Sequence, residues 1–430
     1  MFRCATTVAV SFVVCILGGT PVARAQAVSP AELQERVRLL EDQVKALQAA
    51  LEAIRTQSAS PVTTSPPAPA LAPPATAAAT PGEQTPATLP TYGGTSQSSK
   101  VFNPDIGIIG NFVGATGESR GGSATIAPTP LATLQESEVS LQAIVDPYAR
   151  ADFFLAIGEE GIEVEEGYVS FPTLPGGLLI KAGKFRANFG RLNAFHNHTL
   201  PWIDRPLVMY NLLGGSPLDP DTGIKDAGVS VSRIIPAGKL FLEGIAEIYR
   251  GDSGMLFKSN RRSDFSTVEH LRAYADITEA TNIEIGGSYS RGHNELGSDF
   301  ITQLYGTDVT LRWRPLSRGI YHSLAARTEL IWSRRDELAA QQRAFGGYAS
   351  VDYGLMRRWY LGGRYDWADR ASDAAIQDRG ESAILTFWPS EFSQIRGQYR
   401  RTRYGDGPRV ANELLFQALF TIGAHGAHPF

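Results

Sequence analysis

Cysteine is nearly missing from this chain. The 430 residues contain two, Cys4 and Cys15, both within the first fifteen positions. A disulfide framework, a cysteine metal centre and a cysteine nucleophile are therefore excluded for everything downstream. Excess charge is missing too: 40 Lys and Arg stand against 44 Asp and Glu, a net of −4. A general nucleic-acid binder should be basic, so that class drops out and no nucleic-acid partner is expected. Beyond the N-terminus there is no apolar run of the ~20 residues that a spanning helix needs, and the mean hydropathy is −0.13. A helical membrane protein is excluded. The 43 Gly and 26 Pro carry no three-residue period, which excludes a collagen-like rod. No Ser-His-Asp order, carboxylate pair or glycine-rich phosphate loop stands out, and Gly114 and Gly117 read as turn residues. Neither an enzymatic activity nor a cofactor is expected.

What is present falls into blocks. Residues 1–25 have the layout of a secretory signal: Arg3 as the positive start, an apolar stretch from Val8 to Leu17, and Ala23-Arg24-Ala25 as the cleavage site. Cleavage after Ala25 removes Arg3 and Arg24 and leaves 38 basic against 44 acidic residues, a net of −6. Residues 26–57 read as a coiled-coil oligomerisation helix. Ser29-Pro30-Ala31-Glu32 is a capping box with proline at the first helical position. Val37, Val44 and Leu51 then occupy a positions, and Leu33, Leu40, Leu47 and Ile54 occupy d positions. That seam leaves dimer or trimer open. Residues 58–100 hold nine prolines from Pro61 to Pro90, with Glu83 as the single charge between Thr56 and Ser99. Such a Pro/Ala/Thr segment cannot bury a core and reads as a disordered, extended linker.

Residues 101–430 have a different texture: short runs of period two, punctuated by Gly, Asn, Asp and Pro. Leu414, Phe416, Ala418, Phe420 and Ile422 alternate with Glu413, Gln417 and Thr421; Val309, Leu311 and Trp313 alternate with Asp308, Thr310, Arg312 and Arg314. A soluble sandwich alternates as well, but these runs reach the roughly 9–11 residues of a tilted membrane strand, and their polar face is ionic. Aromatics such as Trp313, Trp332, Trp359, Trp367 and Trp388 fall near run ends, where interfacial girdles sit. The expectation is an all-β fold: an antiparallel transmembrane β-barrel of about 16 strands, greasy outside and wet inside, in the bacterial outer membrane. The N-terminal helix and linker would lie in the periplasm.

The stretch Leu179-Ile-Lys-Ala-Gly-Lys-Phe-Arg-Ala-Asn-Phe-Gly-Arg191 resembles the phosphate-selective porin O and P family. The matching positions are Gly183, Lys184, Phe185, Arg186, Phe189 and Gly190, with Glu165-Glu-Gly-Tyr-Val-Ser170 before them and Trp202-Ile-Asp-Arg-Pro-Leu207 after. The resemblance implies a sixteen-stranded trimeric channel. The dense Lys/Arg ladder that phosphate selectivity wants is not evident: residues 101–300 hold 16 basic and 25 acidic residues, while residues 301–430 hold 17 basic and 13 acidic.

Charges opposite apolar rows are the pore-lining candidates: Arg150, Asp152, Lys184, Arg186, Arg272, Arg327, Arg364, Arg396 and Arg400. Residues 193–226 lack alternation and contain Pro201, Pro206, Pro217 and Pro220. This segment either folds into the lumen, with Asp204 and Arg205 at a constriction, or stays outside as an external loop. Gly251 to Thr267, with Lys258, Arg261 and Arg262, reads as an exposed basic loop. His196-Asn-His198 places two imidazoles on one face if extended, and His425 and His428 form another pair. Two ligands do not make a metal site, so no metal is expected. The expected function is a porin-like channel for passive diffusion of small hydrophilic solutes or ions. Its partners would be outer-membrane lipid, two further copies in a homotrimer, the assembly machinery through Phe430, and peptidoglycan. The alternatives are an envelope-tethering anchor without transport, or a metal or nutrient uptake protein using histidines.

Overall fold

The computed structural model describes residues 38, 45, 104–118, 129–158, 161–219, 221–407 and 410–423. The chain forms two units, Met1–Pro86 and Ala87–Phe430. In the first, Arg38 and Lys45 are helical. The signal, the heptad seam, the linker, His425, His428 and Phe430 lie outside the described residues. Among the described residues no helix is long and apolar enough to cross a membrane.

The second unit contains a closed antiparallel barrel of sixteen strands, each paired with its sequence neighbours and the first closing on the last. They are β1 (Asp105–Gly117), β2 (Ala132–Asp146), β3 (Ala149–Gly158), β4 (Gly161–Leu174), β5 (Leu178–Arg186), β6 (Lys225–Ala237), β7 (Leu240–Tyr249) and β8 (Ser266–Thr278). The second half comprises β9 (Thr281–Asn294), β10 (Gly297–Trp313), β11 (Ser323–Arg335), β12 (Gln342–Met356), β13 (Trp359–Asp369), β14 (Gln377–Ser390), β15 (Ser393–Arg403) and β16 (Val410–Gly423). Lengths run from 9 to 17 residues, well above the ~5–6 typical of soluble sheets. Closure leaves no sheet edge, which is what hydrocarbon requires of a spanning β structure.

The period-two reading is clearest in β13 to β16. In β16, Leu414, Phe416, Phe420 and Ile422 are exposed outward, while Glu413, Leu415, Gln417 and Leu419 are buried inward. Outside, the register aligns aromatic side chains into a belt: Tyr289 pairs with Tyr305, Tyr305 with Trp332, and Trp332 with Phe345. One outward row further along, Arg291, Gln303, Arg334 and Arg343 are aligned in the same way. The wall thus changes from aromatic to ionic within two residues, as a membrane boundary demands. At the opposite end Trp359 stacks on Phe387 with ring centroids 4.5 Å apart. From Leu324 to Trp332 the outward row of β11 rises roughly 20 Å, taking ~3.3 Å per residue and a tilt near 40°.

The interior is not uniformly wet. Inward positions of β10 to β14 include Leu304, Ile331, Ala344, Tyr348, Ala368 and Ile384, all buried. These break the polar-inside pattern because they receive an apolar segment. The 187–224 connection between β5 and β6 carries a seven-residue helix, α1 (Leu207–Leu213), and packs Phe189, Leu192, Trp202, Val208, Met209 and Leu212 against them as one core inside the barrel. The 250–265 connection is likewise only partly exposed: Lys258, Arg261 and Arg262 face solvent or its margin, but Leu256 and Phe257 are buried.

Candidate functional site: the inward loop and the lumen wall

The loop begins at the glycine- and aromatic-rich strand. Gly183 has φ +144°, and a Cβ there would lie 2.2 Å from the Gly167 carbonyl oxygen. Phe185 turns inward and is fully buried. Gly190 sits at φ +58°, where a Cβ would lie 1.7 Å from Glu329 Oε1, and its amide donates to Ser288 Oγ at 2.8 Å. Only glycine fits both the left-handed backbone and the contact. Arg186, buried at the end of β5, donates to Glu165 Oε1 at 3.0 Å and to the Thr222 carbonyl at 3.1 Å, tying the start of the loop to its end. These motif positions are therefore a hinge that turns the chain from wall to lumen.

From there the loop is pinned around the wall. The Asn188 amide and side chain donate to Glu247 at 2.9 and 2.7 Å, and Arg191 pairs with Glu284. On the far side the register places Arg327, Ser350, Arg364, Ser382 and Arg400 in one inward row across β11 to β15. Asp204 of the loop enters this row: its Oδ1 is 3.0 Å from Arg364 Nη2 and its Oδ2 is 2.8 Å from Arg400 Nη1. Gln398 adds a donor to Asp204 at 2.6 Å. Burial raises the Asp204 pKa, but Arg364 and Arg400 outweigh it and hold the carboxyl below its ordinary value. Arg364 also stacks on Trp202, 4.8 Å from the ring centroid. Arg396 donates to the Leu200 and Trp202 carbonyls at 2.9 and 3.1 Å.

Opposite the arginines lies an acidic wall. Glu136 and Glu138 on β2 and Glu165 and Glu166 on β4 are all buried, and the two loop histidines face them. His196 Nδ1 is 2.6 Å from Glu138 Oε2, and its Nε2 donates to Glu166 Oε1 at 2.9 Å. His198 Nδ1 is 3.3 Å from Glu136 Oε1. Burial lowers the pKa of both histidines, but the facing glutamates reverse this and raise both above the ordinary value. A bulge between Phe154 and Leu155 in the β3–β4 register is what lets consecutive Glu165 and Glu166 both reach this patch.

The other expected residues scatter. Arg150 and Asp152 share the inward row of β3 and pair at 2.8 Å, with the Arg150 side chain 45% exposed. Arg272 pairs with Glu243 and Arg327 with Asp352, both inside the barrel. Three expectations are corrected. Lys184 shares its row with Ile180 and Ala182, whose partners Val231 and Val229 face outward, so it does not line the lumen. Its ammonium instead bonds Glu163 at 3.0 Å and the Val164 carbonyl at 2.7 Å. Arg205 is fully buried and spends its guanidinium on Asn197 Oδ1 and the Leu192 and Phe195 carbonyls, so it folds the loop instead of facing solute. Arg186 is likewise an anchor. The acidic partners Glu136, Glu138 and Glu165 went unread as site residues. The alternation in Glu136-Ser137-Glu138 marks a shared face, but which loop residue meets it depends on the fold.

No protein-family model matches the sequence. An uncharacterized protein of Aquifex aeolicus is 31% identical over 341 residues, covering 69% of this chain and 70% of its own length. Among solved structures, a loop-deletion mutant of OmpT, an outer membrane protein of Vibrio cholerae, superposes with TM-score 0.51 and 9% identity over 74% of this chain and 98% of its own. OprB of Pseudomonas putida gives TM-score 0.51 and 10% identity over 75% of this chain and 95% of its own. The trimer form of in-vitro folded OmpT gives 0.50 and 10% over 74% and 98%. Identities this low carry the fold alone, and that fold is the outer-membrane barrel. The sequence relationship goes further, and the chain belongs to the same family as the Aquifex aeolicus protein.

Proposed function

We propose that the chain is an outer-membrane channel for passive diffusion of small hydrophilic solutes or ions, with permeability set by the inward loop and lumen charge. The carrying observation is the loop itself, held across the lumen by Asp204 on the arginine side and His196 and His198 on the acidic side. Away from it, lumen charges remain accessible, with the Arg150 and Arg272 side chains 45% and 43% exposed. Opposed acidic and basic walls set a transverse field, by the rules that give other pores their charge preference. The resemblance to the phosphate-selective porin O and P family rests on the hinge strand. Homotrimer assembly accords with the trimer form of OmpT. In the same reading residues 26–57 are a periplasmic coiled coil on a 58–100 tether that reaches toward peptidoglycan, and Phe430 addresses the assembly machinery.

The test is a planar-bilayer current–voltage and reversal-potential measurement on purified protein. A channel gives discrete conductance steps, and deleting the 193–222 part of the loop raises the step size. Unchanged conductance on deletion refutes the constriction role. The tight packing of Trp202, Ile203 and Arg205, each 1% exposed or less, favours a second reading, a plugged barrel that serves as an envelope anchor. That protein would be silent in the bilayer until the loop is removed.

A further inference from the structure

We propose that Glu138, His196 and His198, with Glu136 and Glu165 beside them, bind one divalent transition metal ion of the zinc type and so clamp the inward loop to β2 and β4.

The geometry is that of a ligand set. Zinc bonds to nitrogen and carboxylate oxygen are about 2.0–2.1 Å, which puts tetrahedral ligand atoms about 3.3 Å apart. Glu138 Oε2 lies between the two imidazoles, 2.6 Å from His196 Nδ1 and 3.5 Å from His198 Nδ1. Glu136 Oε1 is 3.3 Å from His198 Nδ1, and Glu165 Oε2 is 3.3 Å from His196 Nδ1. Three of these four edges already match a metal polyhedron. The fourth is a hydrogen bond that an ion would replace. The two triads, Glu138 with His196 and His198, and Glu136 with Glu138 and Glu165, each have their ligand atoms within 4.8 Å and share Glu138.

Two further observations point to a cation. Glu136 is 1% exposed, and its Oε2 is buried without a hydrogen-bond donor, a costly state for a carboxylate oxygen unless a cation meets it. His196 is also braced as metal ligands are: its Nε2 is 2.9 Å from Glu166 Oε1, which orients Nδ1 toward Glu138 and Glu165, where an ion would take the place of the Nδ1 proton. Two imidazoles with carboxylates suit zinc, cobalt or nickel, and not magnesium or calcium, which take oxygen ligands. The ligands come from β2, β4 and the loop, with Glu138 and Glu136 58 and 62 residues from the histidines they face, so binding cross-links loop and wall.

The experiment is zinc titration of the folded full-length protein in detergent, in competition with a chromophoric chelator. One ion per chain is expected. E138Q and H198A each lose at least tenfold in affinity, and a double H425A and H428A variant keeps the wild-type value. Heat-modifiable gel mobility confirms that each variant is folded. X-ray absorption of zinc-loaded wild type, which needs no variant, should show two imidazole ligands. The proposal is overturned if folded wild type binds no zinc, if E138Q and H198A bind as wild type does, or if the spectrum lacks imidazole scattering. None of these readings requires current through the barrel, so a silent bilayer leaves the metal site untouched.

Discussion

Gly190 is where backbone and side-chain constraints meet: its φ of +58° disfavours any L side chain, and its missing Cβ makes room for Glu329. G190A should cost about 1–3 kcal/mol from strain alone, read as a lower unfolding midpoint in detergent. Gly397, with nothing within 4 Å of its would-be Cβ, should accept alanine within a few tenths of a kcal/mol in the same assay. Asp204 is the complementary case. Removing its charge takes one of two carboxylates from each guanidinium, since Arg364 keeps Asp366 at 2.8 Å and Arg400 keeps Glu413, so D204N should cost about 1–3 kcal/mol. Its carboxyl is held below the ordinary value in the folded protein. The stabilisation is therefore complete above the ordinary carboxylate range and is lost as pH falls through the depressed value. Acidification should release the loop on the arginine side, seen as increased current noise that D204N shows already at neutral pH.

At the scale of elements, a strand here has a lipid face and a lumen face, and the costs differ between them. Val309 lies mid-strand on the outward row with Ile285, Thr328, Ala349 and Tyr365. V309R should destabilise by about 2–4 kcal/mol, whereas R334A, one row beyond the aromatic belt, should stay within ~0.5 kcal/mol. Both are checked by reversible urea unfolding in lipid vesicles. The inward loop obeys different rules. It is an apolar segment within a barrel, and it needs apolar inward positions such as Leu304, Ile331 and Ile384 to receive it. I331S should loosen the loop and raise channel noise while leaving strand content by circular dichroism unchanged.

For the whole molecule, the barrel supplies closure and the loop crosses the space it encloses. Charge is distributed unevenly around the lumen. Arg327, Arg364 and Arg400 occupy one inward row, and Glu136, Glu138, Glu165 and Glu166 gather on the opposite wall. The inward loop covers most of these groups, Arg364 and Arg400 being 4% exposed and the four glutamates 1–6%. R327Q, which removes a lumen charge whose side chain is 16% exposed, should shift the reversal potential toward cations. An unchanged potential would mean that Asp352 already cancels that charge.

Strand periodicity and outward face were legible in the chain, because lipid outside and water inside impose a two-residue alternation that needs no knowledge of neighbours, whereas the exact count of sixteen was not. The non-alternating 193–226 segment was visible as an exception for the same reason, whereas Gly183 and Gly190 stood out only through the family resemblance. Where that segment goes was decided only by the fold, since entering the lumen depends on apolar inward residues contributed by five separate strands. The fate of individual charges was decided there too. Lys184 falls on the outward row, Arg205 turns into the loop, and His196 meets Glu138 only because a closed cylinder brings β2, β4 and the loop to one point. Alternation is a local property of a strand, whereas a site inside a barrel is a property of closure.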